Sequence, residues 1–347
     1  MRRRRLLSAL AIAALFLTMA YASAVVLTHI DHIFLPGNEI AALTVDVPGT
    51  DARVAVSVPG LDSDTDADRR LNILVLGLDR RPEADGGPEG PGRSDSIYVV
   101  SVDLGTHDAR VLGIPRDLWV DVPVGDGAWA PGRINEAYAY GEAASPGRGP
   151  AYAAMAVERN LGIPVDHWVV IDWEGFKTII DALGGVDVLV EEELADPEHP
   201  DVLAAFPGGV VTPGLHHMDG EQALGYARTR HSERGDLDRI HRQQQIMLAV
   251  LRRAVSVRAP EQALELWRRY SAAVITDVAP WQVPGLALVA GDLREHNVKM
   301  FSLGDAVYDW QSPTGALALR ADEQEQARII DAFLGVPVAA DPAFAGS

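Results

Sequence analysis

A chain of 347 residues with 48% hydrophobic content holds ample apolar material for a large core, enough for one large domain or two small ones. Its formal net charge of −19 excludes the broad basic surface that grips a nucleic-acid backbone. There is no cysteine for disulfides or thiolate metal sites, and no G-x-S-x-G, P-loop or dinucleotide fingerprint, so acyl hydrolysis, nucleotide hydrolysis and hydride transfer lack a signature.

Positive charge is segregated at the start, where Arg2 to Arg5 precede an uncharged apolar run from Leu6 to Leu27. That run is close to the roughly 20 residues an α-helix needs to cross a bilayer. Basic residues before it and an Asp-rich segment after it orient the N-terminus toward the cytoplasm and the body outward. A cleaved signal peptide is the rival reading, because Ala20-Tyr21-Ala22 and Ala22-Ser23-Ala24 both fit the small-residue cleavage pattern. The expected organisation is a basic tip (1–5), a transmembrane helix (6–27), an extracytoplasmic stalk (28–70), a catalytic domain (71–335) and a frayed tail (336–347).

Within the stalk, Arg53 to Val58 alternates like one edge strand. Leu71 to Gly77 is a continuous apolar run that fits a strand buried on both faces. Further strands are expected at Ser96–Val102, Ala109–Ile114, His167–Ile171 and Val186–Val190, with helices near Asn135–Glu142, Ala151–Leu161 and Trp173–Leu183. Asp219 is placed to cap a helix, and Asp236 to about Val257 reads as a longer one in which Asp236, Arg239, Arg242 and Gln243 share a polar face. Helices at Pro260–Tyr270 and Pro280–Ala290 and a strand near Val298–Leu303 should complete the domain. Alternating strands and helices predict a layered α/β/α domain around a central mixed β-sheet.

The chemistry-bearing pattern is a series of arginines, each beside a carboxylate or a turn. They stand in Asp79-Arg80-Arg81, Arg93-Ser94-Asp95-Ser96, Ile114-Pro115-Arg116-Asp117, Arg133-Ile134-Asn135, Ala227-Arg228-Thr229-Arg230-His231, and Asp236 with Arg239, Arg242 and Gln243. Guanidinium forks match phosphate oxygens, and nearby aspartates can hold the magnesium that accompanies a diphosphate. His216, His217 and His231 have no zinc-ligand spacing, and Gly184-Gly185 reads as a helix stop.

In that order, and together with Leu183-Gly184-Gly185-Val186 and Asp219-Gly220-Glu221-Gln222-Ala223-Leu224, these motifs resemble the LytR-CpsA-Psr family. Its members are membrane-anchored enzymes that transfer glycopolymers from a polyprenyl-diphosphate carrier to peptidoglycan. The resemblance covers Leu71 to about Leu251 and stops short of the stalk and the C-terminal third. It implies that Asp79 and Asp95 hold magnesium, with manganese as an alternative. It places Arg81, Arg93, Arg133, Arg239, Arg242 and Gln243 around the phosphates, and Arg116, Arg228, Arg230 and Asp236 at the reacting centre. Asp236 and Asp117 are the candidate general bases. A tunnel for the polyprenyl tail is implied by analogy alone. Asp238 stands where the family commonly has a small residue, which puts negative charge beside Arg239, and the acidic insertion Pro82–Gly92 lengthens the loop between the two metal aspartates. Two other readings remain open: a hydrolase using water as nucleophile, and a non-catalytic carrier that only binds the polyprenyl phosphate.

Overall fold

The structure is a computed structural model that describes residues 42–46, 53–57, 70–79, 92–103, 106, 108–229, 235–254, 274–278 and 298–336. The transmembrane helix expected at 6–27, the helices at Pro260–Tyr270 and Pro280–Ala290, and the tail from 337 lie outside the described residues. So do Arg81, Arg230, His231 and nearly all of the Pro82–Gly92 insertion. Among the described residues, no helix is long and apolar enough to cross a membrane.

In the segment expected to form a stalk, two strands replace the one expected: β1 (Ala42–Asp46) pairs antiparallel with β2 (Arg53–Ser57). The domain opens with β3 (Arg70–Leu78), β4 (Ser94–Asp103) and β5 (Ala109–Ile114), followed by a hairpin of β6 (Trp119–Gly125) and β7 (Ala128–Arg133). Helices α1 (Glu136–Ala144) and α2 (Gly149–Leu161) lead to β8 (His167–Asp172) and α3 (Trp173–Ala182). Next come β9 (Val186–Val190), β10 (Leu194–Ala195), α4 (Pro200–Ala205), β11 (Val210–Val211), β12 (Gly214–Met218), α5 (Gly220–Arg228) and α6 (Asp236–Ala254). The remainder is β13 (Val274–Thr276), β14 (Val298–Ser302), β15 (Val307–Gln311), β16 (Leu317–Ala321) and α7 (Glu323–Leu334).

The central sheet is mixed, in the order β13-β8-β3-β4-β5-β14. Strand β3 runs parallel to β8 and antiparallel to β4, and β14 runs parallel to β5. The C-terminal segment therefore completes the domain, since β13 and β14 form the sheet's two edges and Ile330 and Phe333 of α7 enter the main core.

Strand β3 departs from its expected burial. Leu74, Leu76 and Leu78 are at most 1% exposed and pack with Ile97, Val99, Ala153 and Val157 under α1 and α2. Each such side chain contributes roughly 1.5–3 kcal/mol. The opposite face, carrying Val75 and Gly77, lines a cavity and is only half-buried. The run is apolar on both sides because one side packs and the other borders apolar space.

Helix α6 closes the cavity by lying close on the sheet. Ile240 packs against Tyr98 and Val111, and Gln244 Nε2 donates to the Phe301 carbonyl at 2.9 Å. Gly113 permits that approach, because a Cβ there would sit 2.8 Å from Ile240 Cγ2 and 3.2 Å from a ring carbon of Tyr98. As expected, Gly184 and Gly185 end α3, with φ of 76° and 90°, left-handed values that glycine adopts without strain. Asp219 caps α5, forming a capping box with Gln222.

Candidate functional site

The cavity has a volume of about 690 Å³ and lies between the second face of the sheet and helices α3, α5 and α6. Its two ends differ in chemistry because three elements change character along their length. On α6, Arg239 and Gln243 line one end, and Ile246, Met247 and Val250 continue the same stripe into apolar space. On α3, Trp173 stands at the polar end and Phe176, Ile179 and Ile180 follow it inward. Helix α5 runs the other way, from Leu224 to Arg228. Asp79 follows the C-terminus of β3 and Asp172 ends β8, so the polar end lies at the carboxyl ends of two parallel strands, where open α/β sheets hold their ligands.

Of the residues singled out in the sequence, Asp79, Asp95, Arg228, Arg239 and Gln243 line the cavity together. Arg239 is 4% exposed and its Nη2 donates to the Asp95 carbonyl at 3.0 Å, so it reaches the polar end despite its neighbour Asp238. Gln243 is held by the Tyr98 hydroxyl, which donates to its Oε1 at 2.7 Å. The Arg228 guanidinium lies 3.5 Å from the centroid of the Trp173 ring and forms an ion pair with Asp201.

Arg116 lies behind Asp95. Its Nη1 donates to Asp95 Oδ2 at 2.5 Å, and its Nε is 3.3 Å from Asp117 Oδ2. Arg133 extends the chain of charges: its Nε lies 3.6 Å from Asp117 Oδ1, and its Nε and Nη2 donate to the Leu317 carbonyl at 3.1 and 2.7 Å. Asp117 is thus gripped by two guanidinium groups, the arrangement of an orienting partner. Arg133 and Arg242 are not in the cavity lining. Arg242, 6% exposed, donates from Nη2 to the Thr229 carbonyl at 2.6 Å and fixes the backbone where the chain leaves α5. The Arg93 carbonyl accepts from the Asp79 backbone at 3.4 Å, closing the base of the loop between the two aspartates. Of Asp236, only the backbone is described, as the first residue of α6.

Sequence reasoning missed several members of the site. Tyr98 and Trp173 fell inside ordinary strand and helix patterns. Asp196, whose Oδ2 accepts from Thr229 Oγ1 at 2.5 Å, and Asp201 lie in the acidic, proline-interrupted stretch Glu191–Asp201. An acidic run ahead of an arginine-bearing helix in the chain was the available signal. His216 and His217 make local contacts: His216 Nε2 bonds the Thr212 carbonyl at 2.7 Å, and His217 bonds Asp187 and the Gly184 carbonyl.

The carboxylates of Asp79 and Asp95 at the polar end suit magnesium, which takes oxygen ligands and is commonly held by one or two carboxylates, several waters and substrate phosphates. Among the described residues, no cluster of three or more metal-ligating side chains occurs, so such an ion would depend on phosphate oxygens as well.

The fold and this cavity define an α/β domain whose cavity carries arginines and aspartates at one end and apolar side chains between helices at the other. Residues 44–343 match the LytR_cpsA_psr family, and the chain belongs to it. The match extends into both the segment expected to form a stalk and the C-terminal third, beyond the 71–251 span of the recognised motifs. The chain is similar to regulatory protein MsrR of Staphylococcus aureus, 29% identical over 271 residues, spanning 77% of this chain and 75% of MsrR. It is also similar to the polyisoprenyl-teichoic acid–peptidoglycan teichoic acid transferase TagU of Bacillus mycoides, 35% identical over 187 residues, 54% of this chain and 53% of TagU. Among solved structures, B. subtilis TagV superposes with a TM-score of 0.60 at 27% identity, covering 77% of this chain and 97% of TagV. TagT bound to LI-WTA superposes with a TM-score of 0.58 at 26% identity, covering 77% of this chain and 91% of TagT.

Proposed function

We propose that this protein transfers a glycopolymer phosphate from a polyprenyl-diphosphate carrier to peptidoglycan, with magnesium as cofactor, at the outer face of a membrane to which residues 6–27 anchor it. The observation that carries the proposal is the division of the cavity, with Asp79, Asp95, Arg228 and Arg239 at one end and Ile179, Ile246, Met247 and Val250 beyond. Transfer of teichoic acid to peptidoglycan by a relative such as TagU is consistent with it.

In this reading Arg228 and Arg239 bind the diphosphate, Gln243 adds a polar contact and the apolar lining takes the prenyl chain. Arg116 orients Asp95 toward the head group. Asp79 and Asp95 would hold the magnesium ion, which supplies charge neutralisation at the phosphate oxygens. A sugar hydroxyl oxygen of the acceptor attacks the phosphorus that bears the glycopolymer. The bond from that phosphorus to the bridging oxygen breaks, polyprenyl phosphate leaves, and the hydroxyl proton passes to solvent. Phosphoryl transfer asks mainly for positioning and electrostatic stabilisation, which fixed arginines provide.

The test supplies the full chain in detergent with a polyprenyl-diphosphate oligosaccharide and a peptidoglycan acceptor. Acceptor-linked glycan and polyprenyl phosphate should appear together, and only with magnesium. Donor cleavage at an equal rate without acceptor would assign a hydrolase, and tight lipid binding with no turnover would assign a carrier.

A further inference from the structure

On the side of the sheet that packs with α1 and α2, two hairpins join into one outward aromatic face. On β6–β7, Trp119 is paired across the strands with Arg133, so both project from the same side of the hairpin, and Trp129 opposes Pro123 on that side too. On β15–β16, Tyr308 and Trp310 stand two residues apart on one face, opposite Arg320 and Ala318. The hairpins meet edge to edge: Leu118 bridges Leu319, and the Trp119 and Trp310 rings lie 5.6 Å apart, tilted by 57°. The Arg320 guanidinium sits 5.6 Å from the centroid of the Trp310 ring. Tyr308 is 51% exposed, and both tryptophans are only half-buried.

From this geometry we infer that the Trp119–Trp310–Tyr308 face binds a saccharide, namely the β-1,4-linked amino-sugar chain of the acceptor. Flat, partly exposed rings offer apolar planes against the C–H faces of pyranose rings. Arg320, beside Trp310, offers donors to hydroxyl, acetamido and carboxylate oxygens. The face is also coupled to the cavity. Leu317 accepts from Arg133, Arg133 pairs with Asp117, Asp117 with Arg116, and Arg116 with Asp95, which lines the polar end. The identity of this saccharide rests on the proposed transfer, whereas its binding does not.

The test titrates a β-1,4-linked N-acetylglucosamine tetrasaccharide into the full chain in detergent and follows tryptophan fluorescence. A saturable change is expected, weakened about ten-fold in Trp310→Ala. Tyr308→Ala, at an exposed position that leaves the core intact, should weaken it several-fold and be read by isothermal calorimetry. In the transfer assay, Tyr308→Ala should raise the acceptor KM and leave kcat and donor KM unchanged. Saccharide binding without any transfer sinks the transfer reading and leaves the aromatic site standing. No saturable signal in the unsubstituted protein, wild-type binding by both variants, or an unchanged acceptor KM in Tyr308→Ala, overturns the inference.

Discussion

Replacing Arg116 by lysine separates its charge from its geometry. The guanidinium spans two carboxylates at once, through Nη1 to Asp95 at 2.5 Å and Nε to Asp117 at 3.3 Å. An ammonium keeps the charge but cannot reproduce that planar span, so one contact is lost. A charge-assisted hydrogen bond contributes about 1.5–3 kcal/mol and a looser ion pair about 0.5 kcal/mol. The Arg116 and Asp95 side chains remain 15% and 19% exposed, so water recovers part of the loss. Arg116→Ala should therefore cost about 2 kcal/mol and Arg116→Lys about 1 kcal/mol, measured by denaturant unfolding at constant m. Turnover should fall about 100-fold in Arg116→Ala, on the scale of losing one preorganised stabilising group, and less in Arg116→Lys. A double-mutant cycle with Asp117→Asn should show coupling, because Asp117 links Arg116 to Arg133. Wild-type stability and turnover in Arg116→Lys, with additive effects in the cycle, would refute the claim that this bifurcated contact organises the polar end.

Three further outcomes follow from the geometry. Gly113→Ala places a Cβ 2.8 Å from Ile240 Cγ2, so α6 must shift; overpacking of this kind should cost about 1–3 kcal/mol and lower donor affinity through Arg239 and Gln243, read by thermal unfolding and lipid titration. Chelation should abolish turnover with recovery on adding magnesium, and Asp79→Asn should raise the magnesium concentration giving half-maximal rate while the thermal midpoint moves little, as both would be read in a metal titration. His217 has its pKa raised above 6.5, chiefly by its bond to Asp187 and then by the Gly184 carbonyl, with Arg253 acting weakly in the opposite sense. Its stabilisation is complete below pH 6.5 and lost as pH rises through the raised value, so His217→Gln should narrow the stability gap between pH 6 and pH 9, by less than about 1 kcal/mol at this exposed site.

The elements most legible in the sequence were those written in local periodicity. Ala109–Ile114 and Val186–Val190 form strands within the bounds read from the sequence, the second with alternating burial, and Asp219 caps α5 because its side chain reaches a backbone amide only three residues on. Five candidate site residues from the arginine motifs, Asp79, Asp95, Arg228, Arg239 and Gln243, also line the cavity. Only the tertiary structure decided which motif residues converge. Arg239 meets Asp95 across 144 positions of chain, and Arg133 is drawn to a hairpin carbonyl 184 residues away. No pattern in Leu71–Gly77 distinguished a strand packed on both faces from one that packs on one and borders a cavity on the other. Side-chain period is a property of neighbours along the chain, whereas the space beside Val75 exists because α3, α5 and α6 come together over it from distant segments.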